Sequence, residues 1–547
     1  MKPILSPEQA REYARGLRTF DLQELGSQAW LEQHRRIEAL SLQVHQEQAF
    51  QLRREEGGGA VVEALTAAKK WDVLIRSLIA SHLFATRIYP FVVEETVGLM
   101  RQQEQKGAAA ALLLYNLLHH EVVLAELFAA VLLDDLPPCE HLDDLLDWCR
   151  HRLEVLIRGS FNATAGPTID PRYVGCITST DIGAGADAGD ELRRQLREHE
   201  STLSYSASLT CLTLLRGLLS HHLDIGAQHK VRSLRIAPLC AMVLGGLTKQ
   251  HYGNLYPWQR QKQQQTKTEK ANILEYWEDA QWHTYVTAEE AAVRLTKQEA
   301  QVWLSLYEIK ALIGGDAYDP SEIEVFAGIK GRLNESLMMQ YPFLKEYREY
   351  LELLVLEGAK GGDGSALAAH QQRIQDEYGF STSTLPTGVV LVQTANWYES
   401  ELLESLQFWA NSSRSKATDT FITTIESEEV THGLQVTSFA EVADATKQAL
   451  YKHVATHFLS RLTNLTIEEL SGDIEQYLEQ YDRVLPVCAV CNRVAQNRCS
   501  RCKEAWYCSR KCQVTDWKRG HKEACGKPQV QTQIQLTTIQ DTFDTPD

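Results

Sequence analysis

The stretch Cys488–Cys525 reads CAVCNRVAQNRCSRCKEAWYCSRKCQVTDWKRGHKEAC. It holds eight soft or borderline metal ligands in four pairs, which are Cys488/Cys491, Cys499/Cys502, Cys508/Cys512 and His521/Cys525. Eight such ligands make two tetrahedral sets for Zn²⁺. Because a segment this short cannot bury enough apolar surface to fold alone, two zinc ions are expected to supply the missing folding free energy.

The spacing within the pairs suits a metal site. A Cys-x2-Cys turn brings two thiolates to one ion, and ligands at i and i+4 share one face of a short helix. Spacing alone leaves adjacent and interleaved pairings of the ligand pairs both open. The competing interpretation is a disulfide framework, which requires an oxidising compartment.

The ligand order resembles that of MYND-type zinc fingers, as do Trp506-Tyr507 before the fifth cysteine and Gln513-x3-Trp517 after the sixth. That resemblance implies a cross-braced arrangement and peptide contacts through Gln513 and Trp517, with packing of the small core as the alternative role of Trp517. Arg501, Lys518 and Arg519 are candidates for acidic partners, with a solvated face as the alternative. The implied ligand sets are Cys488, Cys491, Cys508 and Cys512 for one zinc and Cys499, Cys502, His521 and Cys525 for the other.

Composition predicts a globular protein with more than one structural unit, since 547 residues are 44% hydrophobic. Seven of the 12 cysteines lie in the finger, and the scattered remainder is typical of a reducing compartment. The finger holds nine Lys/Arg and three Asp/Glu, leaving 46 and 69 elsewhere. Because the body is acidic and seven thiolates with two zinc ions would halve the finger's positive charge, no nucleic-acid partner is expected.

No secretion signal or membrane span is expected. Ser6-Pro7-Glu8-Gln9 is typical of a helix N-terminus rather than of a signal peptide. The most apolar run, residues 108–136, is interrupted by His119-His120-Glu121 and Glu126, which favours a buried helix pair.

The body has helical periodicity in residues 1–158 and again in 192–484, where loops interrupt it. Residues 159–191 are rich in Gly, Ala, Ser and Thr and are predicted to form a flexible loop, and the tail 526–547 is predicted to be disordered. The fold class is therefore all-α, an irregular armadillo-like helical solenoid followed by a small two-zinc finger at 488–525.

Two body helices have clear sequence signals. Thr296-x-x-Glu299 predicts a capped start for a helix that ends at Gly314-Gly315, and a second helix is predicted from Pro342 to a stop at Gly358. Residues 258–270 are predicted to be a solvated loop or helix extension. Residues 387–394, TGVVLVQT, are the one good strand candidate, which is too little for a sheet.

Catalytic motifs are not found in the sequence. His119-His120-Glu121 lacks the histidine at 124 that an H-E-x-x-H site needs, so buried or capping histidines are the better interpretation of this run and of His221-His222. Gly183-Ala-Gly185 departs from the dinucleotide fingerprint. The Asn-His-Ser-Cys segment of SET-type methyltransferases with MYND fingers is absent, and closed zinc sites offer no open position for substrate.

Several body segments are also distinctive: Leu17–Gln43, His119-His120-Glu121, Asp147-Trp148-Cys149, Pro257-Trp258, Trp282-His283, Gln301-Val302-Trp303 and Phe326–Arg332. In matching order, they resemble the MYND-containing ciliary protein family that assembles axonemal dynein arms. It implies a non-enzymatic cytoplasmic adaptor or co-chaperone, acting also near centrioles or the ciliary base. The implied partners are a leucine-rich-repeat assembly factor, Hsp90-linked co-chaperones including a prolyl isomerase, and dynein subunits.

Two other functional classes remain open from sequence alone. The first is a nuclear transcriptional corepressor that uses the same finger, which the acidic body and the lack of a basic import run disfavour. The second is an enzyme in the helical body whose activity survives deletion of the finger.

Overall fold

The computed structural model describes residues 4–22, 24–49, 59–102, 104–132, 137, 139–158, 188–221, 223, 225–245, 255–265, 270–278, 281–312, 318–360, 448, 451–452, 454–455, 458, 489–490, 497–499, 501–502, 505–507, 510–522 and 525. The chain divides into two compact units, Met1–Asp482 and Arg483–Asp547. The predictions for 387–394 and for the tail 526–547 lie outside the described residues, as does most of the loop prediction for 159–191.

The helices of the first unit are α1 (Pro7–Gly16), α2 (Gln28–Ala49), α3 (Ala60–Ala67), α4 (Trp71–Leu83), α5 (Tyr89–Gln102), α6 (Glu104–Leu132), α7 (Leu142–Arg158), α8 (Ala188–Leu219), α9 (Ile225–Ser233), α10 (Ile236–Leu244), α11 (Ala288–Val293), α12 (Lys297–Leu312), α13 (Pro320–Ile329), α14 (Glu335–Gln340) and α15 (Pro342–Lys360). A π-helical turn, Phe84–Ile88, joins α4 to α5. Its strands are β1 (Gln259–Gln265), β2 (Lys270–Glu278) and β3 (Gln281–Thr284).

Helix α1 begins where the sequence predicts. Ser6 accepts a hydrogen bond from the Gln9 backbone N–H, and the Gln9 side chain accepts one from the Ser6 backbone N–H. Pro7 occupies the first helical position, where its missing N–H costs nothing. This capping box satisfies two N–H groups that the first turn would otherwise leave without acceptors.

The prediction that the apolar run forms a helix pair is wrong, because its described part, residues 108–132, lies in one continuous helix, α6. The span Ala110–Leu132 is long and apolar enough to cross a membrane, yet 89% of its most apolar window is buried within the protein. Helices α2, α4, α5 and α8 pack around it. His119, His120 and Glu121 do not break the helix, because each finds polar side chains on neighbouring helices.

Helix α8 packs beside this central helix, and α7 packs on α8 and α4. One face of α7 is apolar and buried at Leu145, Cys149 and Leu153. Helix α8 begins at Ala188, inside the segment predicted as loop, and it makes the most extensive helix packing of the unit against α6.

Residues 258–270 are not a helix extension, since β1, β2 and β3 form an antiparallel sheet in that order. Two cross-strand pairs, Tyr276 with His283 and Trp277 with Trp282, bring rings within 5.3 Å and 5.4 Å. Such pairs stabilise a sheet. Strand β1 is glutamine-rich and lies at an edge, where polar residues are tolerated, so its composition gave no strand signal.

The two clear helices of the sequence are α12 and α15. Thr296 Oγ1 accepts a hydrogen bond from the Glu299 N–H at the start of α12, and Leu344, Tyr347, Leu351 and Leu354 of α15 are buried. Helix α15 continues to Lys360, so Gly358 does not stop it. The all-α prediction is confirmed for the body, with one small sheet added.

Candidate zinc finger and docking surface

Four of the predicted zinc ligands lie together in the second unit. Sγ of Cys499, Cys502 and Cys525 and an imidazole nitrogen of His521 are all within 4.8 Å of one another. Cys499 follows strand β4 (Asn497–Arg498), which pairs antiparallel with β5 (Trp506–Tyr507). The Cys499 N–H donates to the Ala505 carbonyl at 2.8 Å, which closes the turn that carries Cys502.

The distances among these atoms fit a zinc ion. Cys499 Sγ lies 3.7 Å from Cys525 Sγ, and His521 Nε2 lies 3.4 Å from Cys499 Sγ and 3.5 Å from Cys502 Sγ. In a tetrahedral site with Zn–S bonds of about 2.3 Å and Zn–N bonds of about 2.05 Å, sulfur ligands lie about 3.8 Å apart, and sulfur and nitrogen about 3.6 Å apart. The four residues therefore have the mutual spacing of a filled Cys3His site.

The pKa values of two cysteines in the group are shifted in opposite directions. Burial raises the pKa of Cys499, but backbone N–H groups of Cys502 and Arg501 outweigh it, and the pKa falls below its usual value. Burial and the neighbouring cysteine sulfurs raise the pKa of Cys525 to about 11. Zinc binds the thiolate form of cysteine, so metal binding would displace the thiol protons of the group.

Two residues whose role the sequence did not predict, Asp516 and Tyr507, form a hydrogen-bonded pair beside His521. Asp516 Oδ2 lies 3.8 Å from His521 Nδ1, the ring nitrogen turned away from the sulfurs, and accepts a hydrogen bond from Tyr507 Oη at 2.7 Å. A carboxylate behind a metal-bound imidazole orients the ring and raises its basicity. Tyr507 is fully buried; the sequence marks it only through the Trp506-Tyr507 pair of the MYND resemblance and does not mark Asp516.

The other predicted ligand set is described only at Cys512. It lies in helix α16 (Arg510–Asp516), is half-buried and packs against the finger core. Cys488, Cys491 and Cys508 lie outside the described residues. Their assignment to a second zinc stays a prediction.

Gln513 and Trp517 lie close together at the end of α16. Gln513 is half-buried within the helix, and Trp517 begins the π-helical turn Trp517–His521 that follows. Trp517 packs partly on the finger core, with its ring centroid 5.9 Å from that of His521. Since it is only half-buried, it has area for both packing and contact with another molecule.

The surface around Trp517 combines apolar and basic groups. Val514 is 44% exposed, and the basic residues Lys518 and Arg519 that follow Trp517 are exposed; Arg501 is exposed elsewhere in the finger. Gly520 lies within the turn with φ +139°, a conformation that residues other than glycine rarely adopt. An exposed apolar side chain with a basic rim suits a peptide that carries both apolar and acidic residues.

Comparison with known proteins identifies the finger. Residues 488–525 match the MYND finger family model. Short matches of the same region cover 41 residues of ubiquitin carboxyl-terminal hydrolase 17 from Arabidopsis thaliana at 56% identity, and 39 residues of programmed cell death protein 2 from Mus musculus at 54%. These matches cover 8% and 7% of the chain, and 6% and 11% of the relatives. The match and the Cys/His group together indicate zinc binding.

One relative matches along nearly the whole chain. It is the zinc finger MYND domain-containing protein 10 homolog of Drosophila melanogaster, 24% identical over 539 residues, which are 96% of this chain and 100% of the relative. No solved structure matches the chain. The relationship therefore includes the helical body as well as the finger.

Proposed function

Since the full-length match and the finger support assignment to the family of zinc finger MYND domain-containing protein 10, we propose that the chain is a non-enzymatic cytoplasmic adaptor for the preassembly of axonemal dynein arms. The resemblance of the body to dynein-arm assembly proteins motivates this function. Its site of action is the cytoplasm, including the region near centrioles and the ciliary base.

The observation that carries the proposal is the docking surface beside a closed zinc site. Cys499, Cys502, His521 and Cys525 provide four protein ligands, so a zinc bound there keeps no open position for substrate. Such a metal stabilises a shape instead of performing chemistry. A second zinc on Cys488, Cys491, Cys508 and Cys512 would fix the rest of the finger in the same way.

The proposed mechanism is capture of an extended peptide segment by the finger. Trp517 supplies an aromatic face, Gln513 supplies amide hydrogen bonds, and Val514 extends the apolar area. Aromatic anchors commonly provide most of the energy of such contacts. The partners on this proposal are a leucine-rich-repeat assembly factor, Hsp90-linked co-chaperones including a prolyl isomerase, and dynein arm subunits.

The relationship to a MYND-domain protein favours a non-enzyme. The negative net charge of the chain argues against nucleic-acid binding, because 72 Asp and Glu outnumber 55 Lys and Arg. On this proposal neither unit catalyses a reaction, and the function of the chain is to hold the client protein and the chaperone together.

The test is capture of partners from ciliated cells by tagged full-length variants. Trp517→Ala should weaken capture of the assembly factor at least roughly tenfold, or about 1.4 kcal/mol, with unchanged zinc content. Val286→Ala, which removes an 86% exposed apolar side chain from the body, is the matched control and should bind normally. Cys499→Ser should lower both zinc content and capture.

Two outcomes would contradict the proposal. Equal capture by the wild type, Trp517→Ala and Cys499→Ser would show that the finger does not dock partners. Nuclear localisation with co-purified chromatin proteins would favour the corepressor function instead.

A further inference from the structure

A second group of possible metal ligands lies in the helical body. His34 and Glu38 are four residues apart on α2, and His119 lies opposite them on α6. One ligand atom of each lies within 4.8 Å of the other two. Both histidine side chains are buried, whereas 15% of the Glu38 side chain is exposed, which leaves a route to solvent.

Both imidazoles point at the same carboxylate oxygen. His34 Nε2 lies 3.3 Å and His119 Nδ1 lies 3.2 Å from Glu38 Oε1. Charge-assisted hydrogen bonds between nitrogen and oxygen are usually about 2.7–2.9 Å long. In a tetrahedral zinc site, nitrogen and oxygen ligands lie about 3.3 Å apart. The observed spacing is therefore that of ligands around a common ion.

The surroundings fix the ligand rings. Trp30 stacks on His34 with centroids 5.3 Å apart, and Tyr115 stacks on His119 at 5.6 Å. His34 Nδ1 lies 2.8 Å from His120 Nδ1, and His120 Nε2 lies 2.9 Å from Ser77 Oγ.

The contacts from His34 through His120 to Ser77 fit a metal ion on His34 in one arrangement of the imidazole protons. With metal on His34 Nε2, the Nδ1–H of His34 donates to His120, and the Nε2–H of His120 donates to Ser77. A hydrogen-bond partner on the far nitrogen is the usual support of a metal-bound histidine.

We propose that His34, Glu38 and His119 bind one divalent transition-metal ion, with Zn²⁺ the metal that two imidazoles and a carboxylate suit, and that this ion joins α2 to α6. Three protein ligands leave a fourth position for water. The site is independent of the finger, since it lies in the other compact unit. His34 and His119 are 85 positions apart in the sequence, so no spacing motif reveals the site.

Titration with Co²⁺ tests the site in the full chain after the finger alone has been filled with stoichiometric zinc, which its thiolate ligands bind in preference to the body site. Cobalt bound by nitrogen and oxygen gives visible d–d absorption without the near-ultraviolet charge-transfer band of thiolate ligands. We expect one such Co²⁺ per chain in the wild type. Glu38→Gln and His119→Gln should bind it at least roughly tenfold more weakly.

Two further variants separate metal binding from a loss of fold. His45→Gln removes another α2 histidine, which contacts the backbone carbonyl of Ser41, and should bind like the wild type. His120→Gln leaves all three ligands in place and should weaken binding by about 10–100-fold, with unchanged circular dichroism. Equal titrations of the wild type, Glu38→Gln and His120→Gln, or a spectrum with thiolate charge transfer alone, would overturn the proposal.

Discussion

Glu121 holds a buried ionic group at the centre of the body. Its Oε1 accepts hydrogen bonds from Trp148 Nε1 at 2.7 Å and Arg152 Nε at 3.0 Å, and it lies 2.9 Å from His82 Nδ1. Burial by itself would raise the carboxyl pKa, but Arg152 and His82 outweigh it and hold the pKa at about 2. Arg152 also donates to Ser204 Oγ at 2.9 Å, so one carboxylate links α4, α6, α7 and α8.

Glu121→Gln should destabilise the body by about 3–5 kcal/mol, because it leaves the buried Arg152 guanidinium without its countercharge. Arg150→Ala is the control. Arg150 lies on α7 like Arg152 but pairs with Glu154 at the exposed side of that helix, so its loss should cost less than about 1 kcal/mol. Chemical denaturation followed by tryptophan fluorescence measures both. Equal costs for the two variants would contradict this role of Glu121.

Buried histidines predict acid sensitivity. Burial lowers the pKa of both His82 and His199 from 6.5 to about 4. Between pH 4 and pH 6.5 these two histidines bind more protons in the unfolded chain than in the folded one. Their contribution to the free energy of unfolding is therefore complete above pH 6.5 and is lost as the pH drops toward 4. Each group contributes a slope of up to about 1.4 kcal/mol per pH unit.

His199→Gln should reduce that slope in denaturation curves recorded across this range, by up to one group's share. An identical pH dependence in the wild type and His199→Gln would show that this histidine does not couple folding to protons.

At the scale of elements, the contact between α6 and α8 depends on a glycine. A Cβ at Gly217 would lie 2.8 Å from the Leu132 Cβ and 3.0 Å from the Leu132 carbonyl oxygen. His221 Nε2 lies 2.8 Å from the same carbonyl and caps the end of α6. The two helices therefore approach too closely for a larger residue.

Gly217→Ala should destabilise the body by about 1–3 kcal/mol, because backbone atoms of α6 must move. Gly98→Ala is the matched control within α5, where an added Cβ meets no atom within 4 Å, and should stabilise by about 0.5–1 kcal/mol. Melting temperatures of the two variants should shift in opposite directions. Shifts of the same sign would contradict the packing argument.

Element type follows from sequence where local signals agree. Ser6 with Gln9, and the apolar face of α7, specify their helices within a few residues. The sheet was missed because β1 is stabilised by its neighbour β2, whose aromatic side chains pair with β3. Likewise the polar run His119-His120-Glu121 suggested a break in α6, since its buried partners come from distant segments of the chain.

For the whole molecule, the sequence indicated the finger but not the complete environment of its ligands. The ligand spacing brings Cys499 near Cys502 and His521 near Cys525 because each pair is local, whereas the grouping of the two pairs was implied by the MYND resemblance. Asp516 and Tyr507 were not predictable, since carboxylates and tyrosines have many roles. His34 and His119 meet only through packing of α2 on α6, which no local pattern encodes.

The central claim is that zinc holds the finger in its shape while the helical body is stable through its own core. Hydrogen exchange of the full chain, recorded before and after zinc is removed by a chelator, tests it most directly. We expect amides within 488–525 to lose protection after chelation, while those of α7, α8 and α15 keep theirs. Unchanged protection in the finger, or loss of protection throughout both units, would contradict the account.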